Sequence, residues 1–251
     1  SRLPFGVRAE NALVAAAGDV GKALWPAGLA PFYPHPGAGL AAWEVLAAGA
    51  FLAGMSAVAA FQWRRRPYLL VGWLWYLGML VPVAGLVQVG SQAMADRYTY
   101  LPLIGLSLIP IFGLRELAAR GRVRRAALCV LACGALAGFA FVAHRQVAYW
   151  RDSEALFSRA LAVTKGNHLM TYNLGVLRMR EGRTAEAIAL LREAVRINPH
   201  YGDALNNLAW TLATHPELHN GPAEAAEALD AARRAAALRA NQDPVTLDTL
   251  A

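Results

Sequence analysis

Lysine is nearly missing from this chain: its 251 residues hold 2 Lys against 22 Arg. Charge of either sign is scarce, since only 16% of residues are charged, against about a quarter in an ordinary soluble domain. That shortage, with 57% hydrophobic residues and a mean hydropathy of +0.32, excludes a wholly soluble protein and excludes disorder. Acidic residues are especially thin in the first part. Residues 1–152 carry 14 Lys/Arg against 6 Asp/Glu, and residues 153–251 carry 10 against 11. The excess of +7 therefore belongs to the hydrophobic half. A nucleic-acid binder would cluster basic residues on a polar domain; here they stand between apolar runs, as in a membrane protein. The Arg-for-Lys bias and abundant Ala point to a GC-rich genome rather than to chemistry. The two cysteines, Cys129 and Cys133, are four apart in an apolar run. They share a helix face without being able to bridge, and read as small apolar packers.

Catalytic signatures are also lacking. There is no G-x-S-x-G, no phosphate-binding Gly-rich loop and no H-E-x-x-H, and no pair of acidic residues marks a general base or metal site. His144, His168, His200, His215 and His219 show no metal-ligand spacing, and His35, between Pro34 and Pro36, reads as a loop histidine. There is no initiating Met and no signal peptide. The chain opens at Ser1 in mid-pattern and closes at Ala251 in mid-repeat, which predicts a fragment of something longer.

Four apolar stretches are present, each near the ~20 residues that cross a bilayer: residues 41–63, 68–88, 98–117 and 126–146. Arg64, Arg65 and Arg66 fill one connection; Arg115, Arg120, Arg122, Arg124 and Arg125 fill another. The positive-inside rule places both in the cytoplasm. It places residues 90–97, and everything after His144, outside. Ahead of the first span, Leu13, Ala17, Val20 and Leu24 repeat at helical spacing, with Arg8, Asp19 and Lys22 on the opposite face. This predicts an amphipathic helix over 1–24 lying in the membrane interface. Residues 25–40 hold Pro26, Pro31, Pro34 and Pro36, which forbid a continuous helix. Trp25, Phe32 and Tyr33 suit an extracytoplasmic loop at headgroup level. Glu44, at the outer end of the first span, reads as an interfacial charge.

From residue 148 the pattern becomes that of a 34-residue tetratricopeptide repeat. Asn173, Leu174, Gly175, Gly182, Ala187, Leu191, Ala194 and Pro199 fall on its spacing. Small Gly175 and Ala187 let two helices approach, Ala194 lets the next repeat stack, and Pro199 ends the second helix. Phe157 and Ala160 stand 34 residues before Leu191 and Ala194, and Asn207 stands 34 after Asn173. The expected division is a half-repeat over 153–167, a repeat over 168–201, a repeat over 202–244 with a longer turn, and a truncated repeat from 245. The fold class is therefore all-α: a membrane bundle of about four transmembrane helices plus an interfacial helix, followed by a tetratricopeptide α-solenoid.

The stretch from Gln88 to Pro102 carries the candidate chemistry. Asp96 and Arg97 lie where the chain re-enters the membrane on its outer face, followed by Tyr98 and Tyr100. A charged pair with tyrosines at a membrane boundary describes a helix anchor with an aromatic belt. It also describes an outward-facing pocket in which Arg97 holds a lipid-linked phosphate and the tyrosine hydroxyls bond its oxygens. Gly90, Ser91 and Gln92 would add donors.

The run GWLWYLGMLVPVAGLVQVGSQAMADRYTYLPLIGL (Gly72–Leu106) and the upstream WPAGLAPFYPHP loop resemble the membrane half of bacterial tetratricopeptide-repeat membrane proteins. These are similar to the transmembrane and tetratricopeptide-repeat O-mannosyltransferases. AYWRDSEALFSRAL (Ala148–Leu161) and LAWTLATHPEL with DPVTLDTLA fit the same family. The resemblance implies a GT-C type, protein-mannosyltransferase-like enzyme. Such enzymes move a sugar from a polyprenyl-phosphate donor to a protein hydroxyl outside the cytoplasm. In such families an acidic motif in the first extracytoplasmic loop acts as base or metal site, and this chain lacks it. No catalytic residue, metal ligand or cofactor is therefore assigned to it, and any divalent metal would belong to the full-length enzyme. By resemblance Asp96, Arg97, Tyr98 and Tyr100 stand where the donor phosphate would sit.

The function expected is the C-terminal part of an inner-membrane, multi-pass glycosyltransferase. Its partners would be membrane lipid, a polyprenyl-phosphate-linked sugar and an acceptor or partner protein on periplasmic repeats, with no nucleic acid. The alternative is a non-catalytic membrane scaffold whose repeats assemble proteins.

Overall fold

A computed structural model describes residues 3–85, 92–215 and 221–242. It divides the chain into two compact units, Ser1–Ala148 and Tyr149–Ala251.

The first unit is all-α apart from one two-stranded ladder. Helix α1 (Phe5–Leu24) is followed by β1 (Tyr33–Pro34), α2 (Ala42–Phe61), α3 (Pro67–Leu80), β2 (Gln92–Met94), a 3₁₀ turn (Asp96–Thr99), α4 (Tyr100–Ala118) and α5 (Arg122–Ala148). Three helical stretches, Ala42–Phe61, Asp96–Ala118 and Arg122–Ala148, are long and apolar enough to cross a membrane. This is an all-α membrane helical protein. Most of the surface of these helices is exposed and apolar, as lipid-facing helices require. Cys129 and Cys133 are free and exposed on α5.

The expected span over 68–88 is not one long helix. Pro67 starts α3 at a position where its missing N–H costs nothing, but the helix stops at Leu80 after 14 residues. Pro82 cannot donate to the ladder, and Gly85 has φ +78, a left-handed conformation. At 1.5 Å per residue α3 is about 21 Å long, short of the ~30 Å hydrocarbon core. Residues 86–88 of the expected span lie outside the described residues.

Helix α3 is the core of this unit. Trp73, Tyr76 and Leu80 are buried with Leu52 and Ala59 of α2, and Ala16, Ala17 and Val20 of α1 pack on them. Trp73 Nε1 donates to Ser56 Oγ at 2.8 Å, and Ser56 Oγ donates to the Leu52 carbonyl at 2.8 Å. The Tyr76 hydroxyl donates to the Ala16 carbonyl. On its other side α3 meets α4 backbone to backbone. A Cβ on Gly72 would stand 2.5 Å from the Gly105 carbonyl oxygen, and one on Gly105 would stand 2.5 Å from that of Gly72. Glycine at both positions lets two membrane helices touch.

The second unit is a run of helices, each packed on the next: α6 (Ser153–Val163), α7 (His168–Arg180), α8 (Thr184–Ile197), α9 (Gly202–Thr214) and α10 (Pro222–Gln242). Caps fix several starts: Asp152 accepts from the Ala155 N–H at 2.8 Å and Asn167 from that of Met170 at 3.1 Å. Part of the expected longer turn, 216–220, and the truncated repeat from 245 lie outside the described residues.

The residues placed on the repeat pattern occupy the helix contacts. In the α7–α8 hairpin Leu174 and Gly175 are buried. A Cβ on Gly175 would lie 3.3 Å from Leu190 Cβ and 3.5 Å from the Ala187 carbonyl. Gly182 makes the turn at φ +74. Ala187, Leu191 and Ala194 are fully buried in α8, and Ala160 of α6 is equally buried 34 positions earlier. Asn173 is half-buried and Pro199, two residues beyond α8, is exposed. Its carbonyl accepts from Arg234 Nη2 at 2.9 Å.

A carboxylate clasp beside an open arginine

The Pro-rich segment does more than rest on a surface. Tyr33–Pro34 pairs antiparallel with Gln92–Met94, in register Tyr33 with Met94 and Pro34 with Gln92. Sequence patterning does not reveal a two-residue strand, because alternation needs four or more residues. The ladder delivers the Tyr33 ring to Asp96.

Asp96 is the centre of a clasp made by three segments. Its Oδ1 stands 2.9 Å from Lys22 Nζ of α1. Its Oδ2 accepts from the Tyr33 hydroxyl at 2.8 Å and from the Ala30 N–H at 3.3 Å. Lys22 Nζ also lies 3.6 Å from the Tyr33 ring centroid, and Ala30 N–H donates to the Tyr33 hydroxyl at 2.8 Å. Burial pushes the Tyr33 phenol pKa up, and the neighbouring Asp96 charge pushes it further. A fourth tie runs from Asn11 Nδ2 to the Ala93 carbonyl at 2.8 Å.

Helix α1 packs part of its expected apolar face, Ala17 and Val20, on the α3 core and buries part of its polar face as well. Asp19, expected on the solvent face, is buried together with Asn11 and Ala15, while Leu13 and Leu24 are exposed. Lys22 is held by Asp96 rather than by water. Asp19 Oδ1 has no hydrogen-bond partner among the described residues, and the residue lines a cavity of about 20 Å³ with Ala15, Leu80, Ala93 and Tyr98. Burial lifts the Asp19 carboxyl to about 7; Lys22 opposes the rise and Asp96 adds to it.

Arg97 is left outside this clasp. It is exposed, and no carboxylate pairs with it among the described residues. Its guanidinium carbon lies 5.0 Å from the Tyr98 ring centroid. Its Nη2 reaches Gln92 Oε1 at 3.4 Å, and Gln92 Nε2 donates to the Tyr98 hydroxyl at 2.7 Å. Tyr100 is 76% exposed at the start of α4, so it does not join this group. The four expected site residues thus separate: Asp96 is engaged internally, exposed Arg97 is braced by Gln92 and half-buried Tyr98, and Tyr100 is exposed. Gly90 and Ser91 lie outside the described residues.

The arrangement sorts charge. An arginine next to an aspartate in sequence would ordinarily be partly neutralised by it. Lys22, Tyr33 and the Ala30 N–H take up that carboxylate, so the guanidinium, whose Nη2 reaches Gln92 Oε1, keeps its remaining donors for an outside anion. Lys22 and Tyr33 escaped the sequence reading because nothing local links them to Asp96, 74 and 63 residues away.

Curated proteins extend this. The chain is similar to the protein O-mannosyl-transferases. It is 29% identical to TMTC1 of Mus musculus over 159 residues, covering 62% of this chain and 17% of the relative. Against Tmtc2 of Drosophila melanogaster it is 31% identical over 123 residues, covering 49% and 13%. Against Tmtc3 of the same species it is 27% identical over 175 residues, covering 65% and 18%. The chain therefore spans less than a fifth of the length of these relatives. Neither a protein-family profile nor a solved structure matches it.

Elsewhere the site candidates are structural. Glu44 Oε2 accepts from the Ala41 N–H at 3.0 Å and caps α2. His35 Nδ1 accepts from the Gly37 N–H at 3.0 Å, and burial lowers its pKa. Among the described residues no group of three or more His, Cys, Asp or Glu is placed to hold a metal. In the second unit an open groove is lined by Asp152, Ser153, Glu154, Ser158 and Glu181.

Proposed function

We propose that this chain is part of an integral membrane glycosyltransferase that moves a sugar from a polyprenyl-phosphate donor to Ser or Thr of a protein. In this reading Arg97, braced by Gln92 and Tyr98, receives the donor phosphate at the outer membrane face of an inner-membrane protein. The second unit, a tetratricopeptide solenoid facing the periplasm, takes the acceptor or a partner protein. The observation that carries the proposal is an exposed guanidinium whose neighbouring carboxylate is already engaged, in a chain similar to protein O-mannosyl-transferases. Arginine suits the task because its planar fork matches phosphate oxygens, which a point charge does not.

Replacing Arg97 tests the proposal in the full-length protein. Arg97→Ala abolishes sugar transfer while the protein remains in the membrane at wild-type level, and Arg97→Lys retains a small fraction. Wild-type transfer by Arg97→Ala would remove the phosphate role. Asp96→Asn, which loosens the clasp without touching the guanidinium, lowers transfer less than Arg97→Ala does. Orientation is checked with alkaline phosphatase fused at Gly121, where the arginine-rich connection is expected in the cytoplasm and so inactive. Activity there would invert the assignment.

A further inference from the structure

The end of the first unit opposite the clasp has its own unmatched charge. Two arginine-bearing connections, 62–66 and 119–121 with the adjoining helix ends, are far apart in sequence but meet in the fold. Arg66 Nε stands 3.0 Å from Glu116 Oε2, and the Tyr68 ring stacks on Phe112 at 5.6 Å and 27°. These contacts bring the start of α3 to the end of α4. Arg64, Arg65 and Arg66 therefore share one end of the bundle with Arg115, Arg120, Arg122, Arg124 and Arg125. Glu116 is the only acidic residue among positions 62–68 and 112–126, and Arg66 occupies it. The other seven arginines have no carboxylate partner among the described residues.

Three of them stand where a helix disfavours cations. Arg122, Arg124 and Arg125 lie in the first turn of α5, which has no acidic residue there. The positive end of the helix dipole and its unpaired N–H groups attract anions and repel like charge. Arg122, Arg124 and Arg125 are all exposed, so the turn is open to an anion from outside. The aromatic neighbours place this end at the membrane boundary. Phe61 is 91% and Trp63 53% exposed, and the Arg64 guanidinium carbon lies 5.6 Å from the Trp63 ring centroid. Exposed Trp and Phe beside arginine suit the layer of lipid headgroups.

We propose that Arg64, Arg65, Arg122, Arg124 and Arg125 form a composite site for the headgroup phosphates of anionic phospholipids. The first turn of α5 supplies N–H donors to one phosphate, and the arginines of the α2–α3 connection, at the same end of the bundle, add charge. Clusters of four to eight basic residues at the end of a membrane helix attract anionic headgroups, so the site discriminates by net lipid charge.

The test uses the whole chain purified in a neutral detergent. Dioctanoyl phosphatidylglycerol and dioctanoyl phosphatidylcholine are titrated separately, with retained lipid read by native mass spectrometry and protection by thermal unfolding. The chain is expected to retain phosphatidylglycerol on the order of tenfold better than phosphatidylcholine, with the preference fading as salt rises. Exchanging the five arginines for Gln removes the preference. Arg145→Gln, near the far end of α5, keeps it. Equal retention of the two lipids by the unsubstituted chain overturns the proposal, whether or not the substituted protein folds. Displacement of the lipid by inorganic phosphate or by a short single-stranded RNA at equal concentration also overturns it, by assigning the cluster to another anion.

Discussion

The two units solve the same problem, holding helices together, with opposite materials. In the second unit apolar side chains leave water. Ile188, Leu191, Leu205, Ala194 and Ala204 are at most 1% exposed, and the hydrophobic effect assembles the helices. In the first unit the lipid-facing apolar surface gains nothing from pairing, since lipid tails are as apolar as leucine. There the helices are joined by glycine contacts, by indole and phenol hydrogen bonds, by the Arg66–Glu116 pair and by the Asp96 clasp. A change of one methyl group should therefore mean different things in the two places.

The sharpest break uses glycine. Gly105→Leu in α4 drives a side chain into the Gly72 carbonyl and Trp75, with the first atom already at 2.5 Å and 2.8 Å. The Gly72 carbonyl is backbone and Trp75 Cβ is fixed to its own, which leaves little room to relax, so the loss is about 3 kcal/mol and is read as lost folded yield in detergent. Even Gly105→Ala carries most of the penalty. Gly175→Ala in α7 meets Leu190 Cβ at 3.3 Å and Leu191 Cγ at 3.4 Å, atoms on side chains that can give. Its helix propensity gain of about 1 kcal/mol offsets most of the crowding. Equal damage from the two alanines would contradict the contrast between backbone and side-chain contact.

Truncation gives the next effect, with the order of the units reversed. Leu191→Ala empties a fully buried position and costs about 2–5 kcal/mol. Hydrogen exchange across α7 to α9 would report it. Val130→Ala on α5, where Val130 is 74% exposed, changes stability by less than about 0.5 kcal/mol.

What the sequence disclosed follows the same divide. In the second unit Gly175, Ala187, Leu191 and Ala194, which lie on the 34-residue spacing, are buried where a local helix pair meets. In the first unit composition located α2, α4 and α5 from their apolar length. It overextended α3, because hydropathy continues through Val81, Val83 and Ala84 while Pro82 and Gly85 end the helix. In α1 it marked Ala17 and Val20, which do pack inward, and missed that part of the polar face is buried too. Polarity assigned Asp19 and Lys22 to water, but their partners are Asp96, Tyr33 and a cavity wall. Those contacts join positions more than 60 residues apart or lie in the packing itself. A single chain offers no periodic signal for such pairs. Arg97 stands out in the sequence because it lies with Asp96 at a membrane boundary ahead of Tyr98 and Tyr100; the clasp that engages Asp96 was not legible.

Titration extends the comparison to smaller energies. Asp19 has a folded pKa of about 7 against an ordinary value of 3.8, so the folded state holds a proton that the unfolded chain releases. Stability is then greatest below about pH 4 and falls as pH rises toward 7. The upper bound is about 4 kcal/mol, and entry of one water into the adjoining cavity reduces it. Hydrogen exchange in α1, corrected for the base-catalysed rate of an open amide, should accelerate between about pH 4 and pH 7, in steps of about one unit. Asp19→Asn should remove most of that dependence and slow exchange at pH 8. An unchanged pH profile in Asp19→Asn would exclude the buried carboxyl as its origin.

The second unit should respond with the opposite sign and less strongly. Arg178, 7% exposed, gathers Glu154, Glu181 at 2.7 Å and Glu186 at 3.6 Å. Hydrogen bonding to Arg178 lowers the Glu154 pKa, and the Ala155 N–H at the cap lowers that of Asp152. Carboxyls with lowered folded pKa values contribute stability that is complete above their unfolded values and is lost as acid protonates them. These carboxylates face solvent, so screening keeps each contribution small. Acidification from pH 5 toward pH 3 should therefore loosen α6 from α7, mostly below the interval from about pH 7 to pH 4 in which α1 tightens on α3. Glu154→Gln should weaken the acid response of α6 and leave the alkaline response of α1 untouched, because the groups that set the two responses sit in separate units. A single variant that shifted both profiles together would show the units to be energetically coupled rather than independent.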